Sequence, residues 1–357
     1  MDLQLGISRH NGERASINMA DSISRRDFLK LSGVSVLGLG LAPFKQFFPV
    51  SESVQQGRAI YEEITVYEEP SLSGAMVRQI WEDTVFPIAE VVFGDEEPAH
   101  NRVWFRLAER EYVHSGGVQP VETRLNAPVY NFPPEGKLAE ITVPYTDAFR
   151  KADTRSNTAY RFYYETTHWV MDMLLDAYAV PWYRVTDDRW EFEYYVQARY
   201  LRIIPDEELG PLSPNIPEEA KRIEVDTTEQ LVTAYEYDEP IIMIKASTGA
   251  EYSTGKFFTP LGRHYTYHKM PSRHMAAGNL ARNGFDLPGI PWVSYITDTG
   301  VAFHGTYWHN DYGKPRSHGC INLPSQAAKW LYRWTLPVVP ASERRVQEET
   351  GTRVDVI

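Results

Sequence analysis

Cysteine is almost absent from this chain: Cys320 is the single one in 357 residues. One thiol excludes an internal disulfide framework and a structural thiolate cluster for a metal. Positive charge is also scarce, with 36 Lys and Arg against 48 Asp and Glu. Residues 1–58 lean basic, seven against five, which leaves 29 basic and 43 acidic residues in the remainder, near −14. No basic stripe is left to neutralise phosphates, so no nucleic-acid partner is expected. No apolar run reaches the roughly 20 residues that a membrane-spanning helix needs. The stretch from Leu31 to Phe44 comes nearest and is diluted by Gly33, Gly38 and Gly40.

Proline and aromatic residues are plentiful. Twenty-four prolines and recurring Val, Tyr, Trp and Thr predict β-rich units with many turns. Two segments repeat one pattern. Val103-Trp104-Phe105-Arg106-Leu107 precedes Tyr112-Val113-His114-Ser115, and Pro181-Trp182-Tyr183-Arg184-Val185 precedes Tyr195-Val196-Gln197-Ala198. Ile64-Thr65-Val66-Tyr67 and Ile141-Thr142-Val143-Pro144-Tyr145 are expected to open the two copies. Residues 57–123 and 136–205 are thus two related modules, which resemble bacterial SH3-like β-barrels, with most of their aromatics assigned to barrel core. An insertion in the second, Thr166 to Ala179, reads as an amphipathic helix through Trp169, Val170, Met173, Leu174 and Tyr178.

Residues 206–219 read as a linker, the run from Pro205 to Pro217 holding four prolines and a charge run. Residues 220–342 then form a third domain, with 343–357 as a tail. Within it, 263–291 lacks periodicity and reads as a structureless segment over a site. Pro324 to Trp334 reads as a helix that packs inward through Ala327, Ala328, Leu331 and Trp334.

At the N-terminus, Ser24-Arg25-Arg26-Asp27-Phe28-Leu29-Lys30 and the apolar stretch after it resemble a twin-arginine export signal, covering residues 1–50. No Ala-x-Ala cleavage site follows, which leaves a membrane tether open. Export makes the lone thiol an oxidation liability unless it is inert or used for chemistry.

Its neighbours favour chemistry. A cysteine nucleophile needs a base or an imidazolium partner, plus donors for the oxyanion formed on attack. His304 ends a strand-like run before Gly305. Cys320 follows Gly319, where the chain can turn sharply and aim backbone N–H groups, with His318 one residue further back. A thiolate paired with a protonated imidazole would lower the thiol pKa.

His304-Gly305-Thr306 and Ser317-His318-Gly319-Cys320-Ile321-Asn322 resemble the signature of YkuD-type L,D-transpeptidase catalytic domains. Ser247-Thr248-Gly249 and Thr259-Pro260-Leu261-Gly262 extend the similarity over Ile223 to Pro340. The resemblance implies a mainly β chain: two SH3-like barrels, then a β-rich catalytic domain with a few short helices. It implies Cys320 as nucleophile, His304 as proton donor and acceptor, the Gly305 carbonyl as the group orienting His304, and His318 and Gly319 around the oxyanion. Ser317, Asn322, Tyr307, Trp308 and Arg273 are expected to line the substrate site, with Arg263 and Arg282 as further candidates for carboxylates. The implied substrates are peptidoglycan stem peptides, with no cofactor. Cross-linking results if an amine resolves the thioester, and carboxypeptidase activity if water does; the 263–291 segment would exclude water.

Other readings are weaker. His264, His268, His274, His304 and His309 supply imidazoles, but no His-Glu-x-x-His accompanies them, so no metal site is expected. NlpC/P60-like cysteine peptidases place the cysteine before the histidine, the reverse of the order here. A non-catalytic wall-binding protein would have no use for an intact site. The sequence does not set the oligomeric state.

Overall fold

The computed structural model describes residues 55–108, 110–278 and 284–357. The signal-like segment and Arg282 lie outside them. The described chain is mainly β, with one α-helix, Ser325–Trp334, and several 3₁₀ turns. No helix among the described residues is long and apolar enough to cross a membrane.

The first β unit packs a three-stranded and a five-stranded sheet around Ile64, Val66, Phe105 and Val113. The second is a seven-stranded sheet around Ile141, Phe162, Tyr183 and Val196. The repeat seen in the sequence is a repeat of strand register. Trp104 pairs with His114 and Phe105 with Val113; Trp182 pairs with Gln197 and Tyr183 with Val196. A 3₁₀ turn follows each hairpin, at Ser115–Gly117 and Ala198–Tyr200. The opening strands differ from expectation. Tyr145–Phe149, not the run from Ile141, occupies the place of Glu63–Tyr67 beside its hairpin.

The expected helix at Thr166 to Ala179 is instead a strand, Thr167–Leu175, paired on both edges. Its apolar run has a simple cause. Val170 joins the core of its own unit while Trp169 joins the core of the third, so both faces are covered. A strand buried on both faces loses its alternation and is easily misread as helix.

The third unit holds two five-stranded sheets around Ile223, Val225, Phe303, Ile321 and Leu331. The 263–291 segment is not structureless. It contributes the strand Gly262–Tyr265 and the long hairpin His268–Ala277 with Phe285–Tyr295. Its polar residues are committed to the second unit: Asp188 pairs with Arg273, Asp187 with His274, and the Thr167 hydroxyl donates to the Pro271 carbonyl at 2.7 Å. The tail is likewise part of the domain. Arg353–Val356 runs between Lys221–Asp226 and Gly262–Tyr265 in one sheet. The linker forms short 3₁₀ turns and buries Leu209 in the third core.

The helix buries Ala327, Ala328, Leu331 and Trp334 as its spacing predicts. Carbonyls at a helix C-terminus lack intrahelical partners. Here the fully buried Lys269 ammonium takes the carbonyls of Tyr332, Thr335 and Pro337, and Lys221 takes that of Trp334.

Arg58 joins all three units. Buried in the first, it meets Asp83 at 2.7 Å and Gln119 at 2.8 Å, covers the Tyr163 ring of the second at 4.2 Å, and donates to the Tyr307 carbonyl of the third at 2.8 Å. Removing one partner of a buried pair strands the other. Asp83 keeps Arg161, so Arg58→Ala is expected to cost about 3 kcal/mol in urea denaturation, the low end of the cost of breaking a buried pair. A loss below about 0.5 kcal/mol, as for an ordinary surface change, would show that the junction carries no load.

Candidate active site

Two short strands set the site. Ala302–Gly305 carries His304, and Ile321–Leu323 begins just after Cys320. They pair in parallel, Phe303 with Ile321 and His304 with Asn322. Phe303 and Ile321 face the core. Strand alternation then turns Ala302, His304, Cys320 and Asn322 to the opposite face. His304 and Cys320 share one face of adjacent strands, which lie about 4.8 Å apart.

His304 is 2% exposed, and its Nδ1 lies 3.0 Å from the Gly305 carbonyl. A carbonyl can only accept, so Nδ1 carries the proton and Nε2 keeps a lone pair. Gly305 must be glycine here. A Cβ would come 2.7 Å from Pro291 Cγ and 3.0 Å from the Ser325 backbone.

Cys320 is half-buried, and its thiol points to the Gly300 carbonyl at 3.6 Å. The turn before it is cross-braced. The Ser317 hydroxyl donates to the Cys320 carbonyl, and the Gly319 amide donates to Ser317 Oγ at 3.1 Å. Gly319 adopts φ +113°, a region that side chains rarely enter. Its carbonyl accepts from the Thr259 hydroxyl at 2.8 Å, which in turn accepts from the Gly249 amide at 3.0 Å. The Ser-Thr-Gly and Thr-Pro-Leu-Gly segments therefore meet at the nucleophile's turn.

Burial works against the expected ion pair at rest. Burial pushes the Cys320 thiol up to about 11, with a smaller opposing effect from the Ala302 backbone. Burial also pulls His304 down to about 4, against a smaller upward effect of its bond to Gly305. Each charge would stand in a poorly solvated place, so both groups are neutral near pH 7.

Residues 220–356 match the YkuD family model, the L,D-transpeptidase catalytic domain. Among solved structures the chain is similar to an L,D-transpeptidase from Mycobacterium smegmatis at 24% identity, over 39% of this chain and 58% of that one, with a TM-score of 0.32. One from Xylanimonas cellulosilytica matches at 24% identity, over 39% of this chain and 60% of that one, with a TM-score of 0.28. The isolated catalytic domain of the E. faecium L,D-transpeptidase matches at 25%, over 38% of this chain and 96% of that domain, with a TM-score of 0.30. The chain thus spans about three-fifths of the first two. No curated protein matches.

Around this L,D-transpeptidase domain's cysteine the expected residues divide. Ser317 and Gly319 shape the turn, and the Gly319 amide is occupied by Ser317. His318 is exposed, stacked on Tyr252 at 4.9 Å with Phe257 at its edge, 4.5 Å away. Trp308 lies 5.7 Å from the His304 ring. Three expected substrate residues serve structure instead. Tyr307 is buried, stacked on Tyr163 of the second unit at 4.9 Å. Asn322 is buried against the His309 ring at 2.9 Å. Arg273 is paired with Asp188, and Arg263 bonds Asp355 at 3.2 Å. Among the described residues no His, Cys, Asp and Glu group is arranged to hold a metal.

Tyr295 was missed. It pairs with Ala302, packs against the same cluster as Cys320, and stacks its ring on His268 at 5.1 Å. Burial raises its pKa, Arg273 opposes that, and charge on Cys320 would raise it further. No spacing rule reaches across three strands to find it.

The neutral pair fixes a pH dependence. Iodoacetamide alkylation of Cys320 is expected to climb only toward about pH 11. Base-assisted acylation is expected to fail as acid protonates Nε2 near 4, because His304 has a lowered pKa and loses its lone pair only below it. A thiolate inflection below neutral pH would contradict both.

Proposed function

We propose that this protein is a peptidoglycan L,D-transpeptidase working through a Cys320 thioester. The observation that carries the reading is the His304–Gly305 contact at 3.0 Å, which leaves Nε2 free on the face shared with Cys320. Cys320 sulfur attacks the carbonyl of the third residue of a stem tetrapeptide while its proton passes to His304 Nε2. The C–N bond to the terminal D-alanine breaks, and His304 returns the proton to the leaving amine. A side-chain amine of a neighbouring stem then attacks the thioester, gives its proton to His304, and frees the thiol as the cross-link forms. The Gly319 amide is held by Ser317 and the Ser317 amide by Thr248, so the amides of His318 and Cys320 are the ones assigned to the oxyanion in both halves.

The neutral resting pair supports proton transfer concerted with attack over a preformed thiolate. Such a thiol is a weak nucleophile until substrate arrives, which suits an unpaired cysteine in an oxidising compartment. Residues 57–123 and 136–205 are read as SH3-like modules, and the twin-arginine-like segment as the export route to the wall. Hydrolysis of the same thioester gives the carboxypeptidase reading.

Incubation with a disaccharide-tetrapeptide followed by mass spectrometry tests this. The expected result is an adduct on Cys320 that lacks the mass of D-alanine, then a cross-linked dimer. Cys320→Ala should abolish the adduct, and His304→Ala should slow it by about 10²–10⁴-fold in a folded protein. Full activity of Cys320→Ala would end the proposal. Tripeptide without dimer would reassign the product to hydrolysis.

A further inference from the structure

The loop from Thr306 to Arg316 joins the base strand to the nucleophile turn, and the first β unit grips it at three points. Arg58 bonds the Tyr307 carbonyl at 2.8 Å. The Asn310 amide donates to the Gly116 carbonyl at 3.3 Å, and Asn310 Nδ2 donates to the Ser115 carbonyl at 3.2 Å. The third point is Asp311. Its carboxylate, 4% exposed, meets His100 Nε2 at 2.9 Å and Asn101 Nδ2 at 3.3 Å from the first unit. From its own loop it meets Lys314 at 2.6 Å and Arg316 at 2.8 Å.

Arg316 immediately precedes the Ser317–Cys320 turn. Its amide and that of Ser317 both donate to the Thr248 carbonyl, at 2.9 and 3.0 Å. Lys245 returns the contact by donating to the His100 carbonyl at 2.6 Å. The first unit is shaped for this approach: a Cβ on Gly116 would come 2.9 Å from Asp311 Cγ.

We infer that Asp311 is a positioning residue for acyl transfer, and that the first β unit is a fixed brace of the active-site loop through His100 and Asn101. This rests on the function proposed above. Asp311 touches neither substrate nor thiol. It acts through Arg316, whose backbone starts the turn that carries Cys320. The Tyr-Val-His-Ser hairpin end of the first unit supplies Ser115 and the following Gly116 to this contact.

The test uses the full chain with Asp311→Asn, His100→Ala and the double variant. Three quantities are read: thermal midpoint, kcat and KM for tetrapeptide acylation, and the rate of Cys320 alkylation by iodoacetamide at alkaline pH, where thiolate forms. Misplacement of reacting groups by about 1 Å can cost 10²-fold. Asp311→Asn is therefore expected to lower kcat at least about tenfold with KM nearly unchanged, and to slow alkylation, while unfolding stays cooperative. The effects of the two single variants should be less than additive, because His100 acts through Asp311. A purely structural role would lower the thermal midpoint and leave kcat and alkylation at the wild-type level; that result overturns the inference. If Asp311→Asn does not fold, His100→Ala removes one of the two donors from the first unit and decides by the same rates. A wild-type chain that is alkylated but never acylated would sink the acyl-transfer reading, and alkylation rates would still decide this one.

Discussion

The active site depends on one constraint, the parallel pairing of two strands of four and three residues. Parallel strands need a connection that leaves the sheet and returns, and here it is the loop that carries Asp311. So short a ladder has few hydrogen bonds to hold register, and a one-residue slip would turn Cys320 to the core face. Stability must come from what surrounds it. Below lie Phe303 and Ile321 in the core. Beside it, Ser247 bridges to Asn322 and Gly249 to Ser317. Above, the loop is pinned by the first β unit.

A neutral thiol beside a neutral imidazole follows from the same packing. Enclosure fixes the His304 ring and its tautomer, yet withdraws the solvation that an ion pair would need. On the proposed mechanism, charge would form only when an oxyanion and its donors arrive to share it. That separates storage of the cysteine from its use.

Much of this was legible in the sequence because it depends on local rules. Cys320, His304 and the glycines beside them stand in a motif whose turn geometry is dictated within a few residues. The paired hairpins were visible because Trp104 and Trp182 occupy the same register in each copy. What escaped detection depends on contacts between units. Thr167–Leu175 looked helical because two cores cover its two faces. The hairpin from His268 looked structureless because Arg273 and His274 are satisfied by Asp188 and Asp187, far off in sequence. Tyr307, Asn322 and Arg273 drew attention as polar or aromatic residues near the motif, but each has a structural partner. Asp311 gave no signal: an acidic residue in a loop is ordinarily a solvated charge.

The most direct test of the neutral-pair account is ring nitrogen-15 NMR of His304 in the full-length protein at neutral pH. A single protonated nitrogen, Nδ1, with an unprotonated Nε2 is predicted in the free enzyme, persisting on acidification until about pH 4. Two protonated ring nitrogens at neutral pH, with loss of the second proton only when Cys320 is replaced, would establish a thiolate–imidazolium pair and contradict the account.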